Sequence, residues 1–325
     1  MTVELALEEL VMVEQRTAHA DQAAPWVREG DRRIEGREGR ERMVELRAGL
    51  LRHPRVTATP AAAADEEVER TLRSLHEPGY LDALAKLGGD PVVMPEFAPP
   101  GLEPDIPVSA GILAAAREGV RTAITAADQV LEGERFAYAL CRPPGHHAGP
   151  RFHAGYCYLN NAAAAARRLL DGGLRPLGIL DLDLHYPNGT SALVERMAGD
   201  AALHSLHAAP VTNLPPGVEL PRQWGERAIS FASSPDEGTY LEEVRASVSA
   251  LAERSAALVV SLGFDTVAGD PHGGWSFEPR LFTGVGRILA AAALPVCVVQ
   301  EGGYSLPRLA DCSHAFALGL LGEER

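Results

Sequence analysis

From about residue 110 onward, hydrophobic positions follow two alternating rhythms. Ala110–Glu132 repeats its apolar residues at helical spacing, and Phe136–Cys141 (FAYALC) then runs almost without a polar interruption. The alternation continues through a helical Asn160–Leu170, an apolar Leu177–Leu182, a helical Thr190–Met197 and a short apolar Ala202–Leu206. It resumes with an amphipathic Tyr240–Arg254, an apolar Ala257–Leu262, a helical Pro279–Ala293 and an apolar Pro295–Val299. Two stretches break the pattern. Residues 15–75 are rich in Arg, Glu and Ala with helical spacing, so helices are predicted there. Pro95–Pro107 (PEFAPPGLEPDIP) and the long stretch His207–Gly238 read as irregular, the first because of its five prolines. No internal repeat is present.

Short apolar strands separated by helices of roughly 10–15 residues predict a parallel sheet covered on both faces. The strands are near-continuous apolar runs, as doubly covered strands are. In such sheets ligands bind beyond the carboxyl ends of the strands. Four predicted strands deliver reactive side chains there. Phe136–Cys141 runs into RPPGHHAG with His146 and His147, and Leu177–Leu182 into Asp183 and His185. Ala257–Leu262 runs into GFD with Asp265, and Pro295–Val299 into QEGGY with Tyr304.

Residues two apart on an extended segment point the same way, so Asp181, Asp183 and His185 of ILDLDLHYPNGT share one side. Carboxylate and imidazole ligate zinc or iron(II), and a third ligand from another strand end, for which Asp265 is the candidate, leaves a position open for water. Read alone, D-L-D-L-H is equally a solvated strand end. The His146–His147 pair suits proton transfer near neutral pH, metal ligation or a surface position. Tyr304 after Gly-Gly is either a hydrogen-bond donor to a polarised carbonyl or a structural tyrosine.

The 325 residues, 46% of them hydrophobic, suffice for one large α/β domain, taken as residues 1–325. No apolar run approaches the ~18 residues of a membrane-spanning helix. The acidic start of the chain lacks the basic segment of a signal peptide, and the four cysteines (141, 157, 297, 312) form no CxxC pair. Buried thiols and a cytoplasmic location are therefore expected. Thirty basic against 44 acidic residues leave a net charge of −14, which disfavours nucleic acid and anionic lipid as partners. Lys86 is the sole lysine, a bias better attributed to codon composition than to function.

Taken together, ALCRPPGHHAG…HAGYCYLNNAAAAA, GILDLDLHYPNGT, VVSLGFDT…GDP and VVQEGGY resemble the metal-dependent deacetylases. That family includes histone deacetylases and bacterial acetylpolyamine amidohydrolases, and GYCYLNNAA and SLGFDT lie nearer the latter. The motifs stand in family order over about residues 105–320. The resemblance implies an α/β, three-layer arginase–deacetylase fold with a central parallel sheet and helices on both faces. It implies zinc, or alternatively iron(II), on Asp183, His185 and Asp265, with His147 as general base and acid and His146 as its electrostatic partner. Asp181 and Asn188 would orient the two histidines, and Tyr304 would stabilise the transition state. Gly155 and Tyr156 would wall the acyl-amine channel, and a structural potassium ion would sit among Asp181, Asp183, His185, Ser205 and Leu206. The implied reaction is hydrolysis of an N-acetyl or N-acyl amine to amine and acetate, on a small molecule such as an acetylpolyamine or an acetylated biosynthetic intermediate.

Three departures bear on the substrate. Tyr186 and Pro187 replace the usual His and Gly. Residues 1–60 lack the family opening, and the segment from Tyr80 to Pro107 lacks the long insertion of acetylpolyamine amidohydrolases. The oligomeric state is therefore left open. His272 stands where a polyamine-selective relative has an acidic gatekeeper, so it is expected to recognise a carboxylate or hydroxyl, or to be a rim residue without a role. Protein lysine deacetylation and a non-catalytic binding module of the same fold are the alternatives. A two-metal ureohydrolase is disfavoured by RPPGHH and EGGY.

Overall fold

The computed structural model describes residues 8–19, 21–197, 199–210, 214 and 226–322. Among these, eight parallel strands form one sheet in the order β4-β1-β5-β10-β9-β6-β7-β8. They are β1 (Leu10–Glu14), β4 (Val56–Pro60), β5 (Phe136–Leu140), β6 (Leu177–Asp181), β7 (Ala201–Ala208), β8 (Arg227–Phe231), β9 (Ala257–Leu262) and β10 (Val296–Gln300). A separate antiparallel hairpin consists of β2 (Trp26–Glu29) and β3 (Arg32–Glu35).

Alternate strand residues enter opposite cores, because successive side chains of a strand point to opposite faces. Ala137, Ala139, Ile179, Val259 and Cys297 join one apolar cluster, while Phe136, Tyr138, Leu180, Val260 and Val298 join the other. The first cluster is closed by α2 (Asp65–Leu75), α3 (Pro78–Leu84), α4 (Ala110–Leu131), α5 (Asn161–Asp171) and α6 (Asn188–Val194). The second is closed by α1 (Arg40–Leu50), α7 (Glu237–Ala252), α8 (Leu281–Ala291) and α9 (Leu306–Leu321). The α4–α5 face of the sheet carries alanines and a cysteine, and α5 meets it with Ala162–Ala166, all buried. Small residues on both sides allow close packing there, whereas aromatic rings fill the opposite layer. Side-chain caps start α4 and α5. Ser109 accepts from the Ile112 amide at the head of α4, and Asn160 from Ala163 at the head of α5.

The predicted three-layer parallel architecture is thus present, and the elements expected after residue 110 match within a few residues. Two expectations need correction. The stretch 15–75 holds the β2–β3 hairpin and β4 as well as helices, with β1 just before it. Its charged pattern hid them because the hairpin is largely exposed and β4 lies at a sheet edge. The stretch His207–Gly238, read as irregular, contains β8, another edge strand whose burial is only partial, and β7 runs to Ala208. The C-terminal α9, not anticipated, packs on α1 and α8. All four cysteines are buried and free. No described helix is long and apolar enough to cross a membrane.

Candidate active site

The four strands that end in reactive residues are neighbours, β5-β10-β9-β6, so their carboxyl ends converge on one point of the sheet edge. Strand β6 stops at Asp181, and Asp183 and His185 lie on a bend beyond it rather than on the strand. Carboxylates take over the main-chain bonds there. Asp181 Oδ1 accepts from the Asp183 amide (3.2 Å), Asp183 Oδ1 from the His185 amide (2.9 Å), and Asp265 Oδ1 from the Leu184 amide (3.0 Å). Such side-chain-to-backbone bonds compete with ladder bonds and turn the chain.

The bend brings His185 Nδ1 to 3.2 Å from Asp183 Oδ1 and 3.0 Å from Asp265 Oδ2. One ligand atom from each of the three lies within 4.8 Å of the others. One nitrogen and two carboxylate oxygens fit a divalent ion with a position left open. The surroundings keep these oxygens in place. Asp183 Oδ2 accepts from the Gly302 amide at 2.8 Å, and a Cβ on Gly302 would come within 2.5 Å of that oxygen and 2.9 Å of Asp265 Oδ2. Burial, followed by the charge of Asp183, raises the Asp265 carboxyl to about 7, and a cation between the two would relieve that repulsion.

The two histidine rings lie beside this cluster, tilted by 41° with centres 4.0 Å apart. His146 Nδ1 meets Asp181 Oδ2 at 3.2 Å, and His147 Nδ1 meets Asn188 Oδ1 at 2.8 Å. Because an amide oxygen only accepts, His147 carries its proton on Nδ1, and its Nε2 is the unprotonated nitrogen of the ring. The two rings differ electrostatically. Burial favours the neutral form of both, but at His146 the carboxylates of Asp183 and Asp181 outweigh it and raise the pKa to about 10. At His147 burial is reinforced by His146 and His185, which holds its pKa well below the usual imidazole value.

Tyr304 stands at the end of QEGGY, its ring centre 5.6 Å from that of Tyr156 and 4.7 Å from that of His272. Burial pushes its hydroxyl well above the usual phenol range, so it stays protonated and able to donate. Gly155 has a φ of +53°, and a Cβ there would lie 2.4 Å from His147 Cδ2, so the wall beside the base requires glycine. Ser205 is the register partner of Asp181 and bonds His207 Nδ1 at 2.9 Å; Leu206 is buried in the core. His146, His147, Gly155, Tyr156, Asp183, His185, Asp265, His272 and Tyr304 all line one cavity of about 580 Å³. Asp181, Asn188, Ser205 and Leu206 lie behind that lining. Tyr186 bonds Ser191 Oγ (2.9 Å) and Glu226 Oε1 (2.6 Å) rather than reaching the cavity.

Several contributors were not singled out in the sequence. Glu301 is fully buried, and its Oε2 accepts from the amides of Gly145 (2.6 Å) and His146 (3.1 Å), which fixes the loop that carries both histidines. Among the described residues its Oε1 has no hydrogen-bond partner, and burial is the main cause that raises the carboxyl to about 7. A charged residue directly after a buried strand was the available signal. Arg42 of α1 donates to the carbonyls of Gly303 (2.6 Å) and Glu301 (2.5 Å) and stacks on the Tyr304 ring, 4.6 Å from its centre. Glu38 pairs with Arg42 at 3.0 Å and with Arg142 of RPPG at 2.7 Å, all three buried. Asp105, from the proline-rich loop, accepts from the Gly155 amide at 2.8 Å. Apart from the i,i+4 pair of Glu38 and Arg42, no local pattern marks these contacts, which span 50 residues or more.

A parallel α/β sheet with a histidine–carboxylate cluster at its strand ends that could hold a divalent ion defines a broad class, and similarity narrows it further. The histone deacetylase domain model matches residues 37–320, and the chain belongs to that family. The chain is 39% identical over 210 residues to an acetylpolyamine amidohydrolase of Mycoplana ramosa, covering 62% of this chain and 61% of that one. It is 34% identical over 224 residues to acetylpolyamine amidohydrolase 1 of Pseudomonas aeruginosa, covering 66% and 64%. These matches span about three fifths of the length of the curated relatives. A crystal structure of an acetylpolyamine aminohydrolase from Burkholderia pseudomallei superposes with a TM-score of 0.82 at 26% identity, over 96% of this chain and 98% of that one. The fold is the arginase–deacetylase fold, and the family is metal-dependent.

Proposed function

We propose that this protein hydrolyses the amide of a small N-acetylated amine to the free amine and acetate. The observation that carries this reading is the convergence, in one cavity, of Asp183, His185 and Asp265 with His147 and Tyr304. The names of the most similar relatives support an acetylated amine as substrate. The cavity volume of about 580 Å³ suits a small molecule. The catalytic unit is taken as residues 1–325, because Arg42 and Glu38 of the N-terminal segment brace the residues around Tyr304 and His146.

In this reading Asp183, His185 and Asp265 hold a divalent ion, zinc or iron(II), and Asp181, Asp183, His185, Ser205 and Leu206 surround a structural potassium ion. When bound, the divalent ion supplies Lewis acidity to the amide carbonyl and acidifies water. His147, neutral with its proton held toward Asn188, takes a proton from the attacking water at Nε2. His146, held by Asp181, adds positive charge beside the developing oxyanion. Tyr304 donates its hydroxyl hydrogen to that oxyanion. His147 then returns the proton to the departing nitrogen, which leaves as the amine. Gly155 and Tyr156 line the acyl-amine channel and exclude bulk water from the base.

Acetate release tests this reading. Zinc- or iron(II)-loaded protein is incubated with N-acetylputrescine, N-acetylcadaverine, acetylspermidine and an acetyl-lysine peptide. Turnover of the small amines, reduced about 10²- to 10³-fold by Tyr304→Phe, is expected. Preference for the peptide would assign a lysine deacetylase. Acetate release from none of the four, with the divalent ion bound stoichiometrically, would refute an acetylated-amine hydrolase.

A further inference from the structure

In the proposed reaction Tyr304 presents its hydroxyl to the carbonyl under attack, yet its own stretch of chain does little to fix it. It follows two glycines, the second at a φ of +116°, and a single residue separates it from α9. Its ring meets the Arg42 guanidinium at 4.6 Å, the Tyr156 ring at 5.6 Å and the His272 ring at 4.7 Å. Ring contacts of this kind are worth about 0.5–1.5 kcal/mol each and tolerate sliding. A donor to a developing oxyanion has to be held to within about 0.5 Å. The remaining restraint comes from the backbone.

One buried carboxylate supplies it. Asp270 Oδ2 accepts from the Tyr304 amide at 2.6 Å and from the Ser305 amide at 3.0 Å, and its Oδ1 accepts from the His272 amide at 2.9 Å. Amide bonds to a carboxylate are roughly twice as strong as neutral ones, and three of them satisfy a group that burial would otherwise penalise. They tie the loop after β9 to the loop after β10, with Asp270 and Tyr304 34 positions apart. The turn that carries Asp270 is closed on itself: its amide donates to the Val267 carbonyl at 3.2 Å, and its carbonyl accepts from the Gly273 amide at 3.2 Å.

His272, held by the same carboxylate, packs edge-on against the Tyr304 ring. Its Nδ1 lies 2.7 Å from Oε1 of Glu29, at the end of β2, and its Nε2 lies 3.2 Å from the Tyr156 hydroxyl. A carboxylate only accepts, so Nδ1 carries the hydrogen; Tyr156, whose oxygen accepts from the Arg37 amide at 3.2 Å, donates to Nε2. Both ring nitrogens are thus engaged within the protein. This corrects the role expected of His272: it does not recognise a carboxylate or hydroxyl of a ligand but backs Tyr304.

The geometry points to Asp270 as the positioning residue of Tyr304: its carboxylate fixes the Tyr304 backbone directly and, through His272, the ring packed against it, so that the hydroxyl is in place for the transition state. The inference rests on the amide-hydrolase reading above and adds to it a residue that acts only through Tyr304.

The test is a double-mutant cycle on the zinc-loaded full chain, read as acetate release from the best of the four amides named above. Asp270→Asn leaves one acceptor oxygen in place of two. It is expected to lower kcat about ten-fold with KM within about two-fold of wild type, since the interaction it weakens belongs to the transition state. In the Tyr304→Phe background the same change should cost less than about two-fold, because no hydroxyl is left to misplace. Asp270→Glu keeps both oxygens on a longer arm and should lose less than Asp270→Asn; it takes that variant's place in the cycle if Asp270→Asn does not fold. Zinc stoichiometry should be unchanged throughout. The inference is overturned if the Asp270 change leaves kcat as it was, slows both backgrounds by the same factor, acts on KM alone or releases zinc, if Tyr304→Phe is as active as wild type, or if neither Asp270 variant folds. If wild type releases acetate from none of the four, the amide-hydrolase reading fails and this inference falls with it; turnover with additive losses rejects this inference alone.

Discussion

Two stretches of the chain enclose the same cavity in different ways. Between β5 and the loop after β10, each of four strands ends and, within a few residues, presents the side chains proposed to carry the chemistry. The N-terminal stretch, residues 8–60, contributes neither a candidate metal ligand nor a base. It inserts β1 between β4 and β5, places the β2–β3 hairpin at the cavity mouth and sends Arg42 under Tyr304. The first region is built from local signals, the second from contacts between residues far apart in sequence. Arg42 meets Glu301 and Gly303 across some 260 residues, and the pairing of Glu38 with Arg142 spans 104. The proposed chemistry is therefore confined to strand ends, while an N-terminal stretch that the family model covers only from residue 37 braces the site and shapes its mouth.

The comparison can be broken most directly at the strand ends. Asp183→Ala should abolish stoichiometric zinc binding and lower kcat/KM at least about 10³-fold, read by metal analysis after dialysis together with acetate release. Retention of both would remove Asp183 from the cluster. The complementary test lies in the N-terminal stretch. Arg42→Met removes the donors to two buried carbonyls and half of a buried charge network, and should cost about 2–4 kcal/mol in urea unfolding. A cost near zero would show that this segment merely covers the site.

Glu301 links the two regions and gives a pH test. Its folded pKa, about 7, lies above the ordinary glutamate value of 4.5, with burial as the main cause. The folded state therefore binds more protons than the unfolded state between these values. The contribution is fully present below about pH 4.5 and is lost as pH rises through about 7. Glu301→Gln should flatten this fall by on the order of 1–3 kcal/mol, seen as a smaller change in urea midpoint between pH 5 and pH 8. An unchanged slope would mean that another group governs it. The smallest expected effect is at a purely local signal. Ser109→Ala removes the cap of α4 and should cost about 1 kcal/mol with no change in KM.

These expectations parallel what could be read from the sequence. HHAG, DLDLH, GFD and EGGY each follow an apolar run, so a strand end and its side chains were visible in a window of a dozen residues. The bend after Asp181 was not, because it depends on Asp265 accepting the Leu184 amide across 81 residues. Edge elements were also obscured. β4 and β8 are half-exposed and carry charged or polar residues, so they lack the continuous apolar run that marked β5, β6, β9 and β10. His272 was noticed, but its behaviour depended on Glu29, 243 residues away.

By itself, then, the sequence determined the alternation of strands and helices after residue 110, the helix caps and the side chains at each strand end, because periodicity and capping act within a few residues. Only the tertiary structure decided that β5, β10, β9 and β6 would be neighbours, that Glu301 would tie down the histidine loop, and that a hairpin from the start of the chain would lay Glu29 across the mouth. Strand order and buried ion pairing arise from packing two apolar layers against one sheet, and that packing joins residues whose separation along the chain carries no local signal.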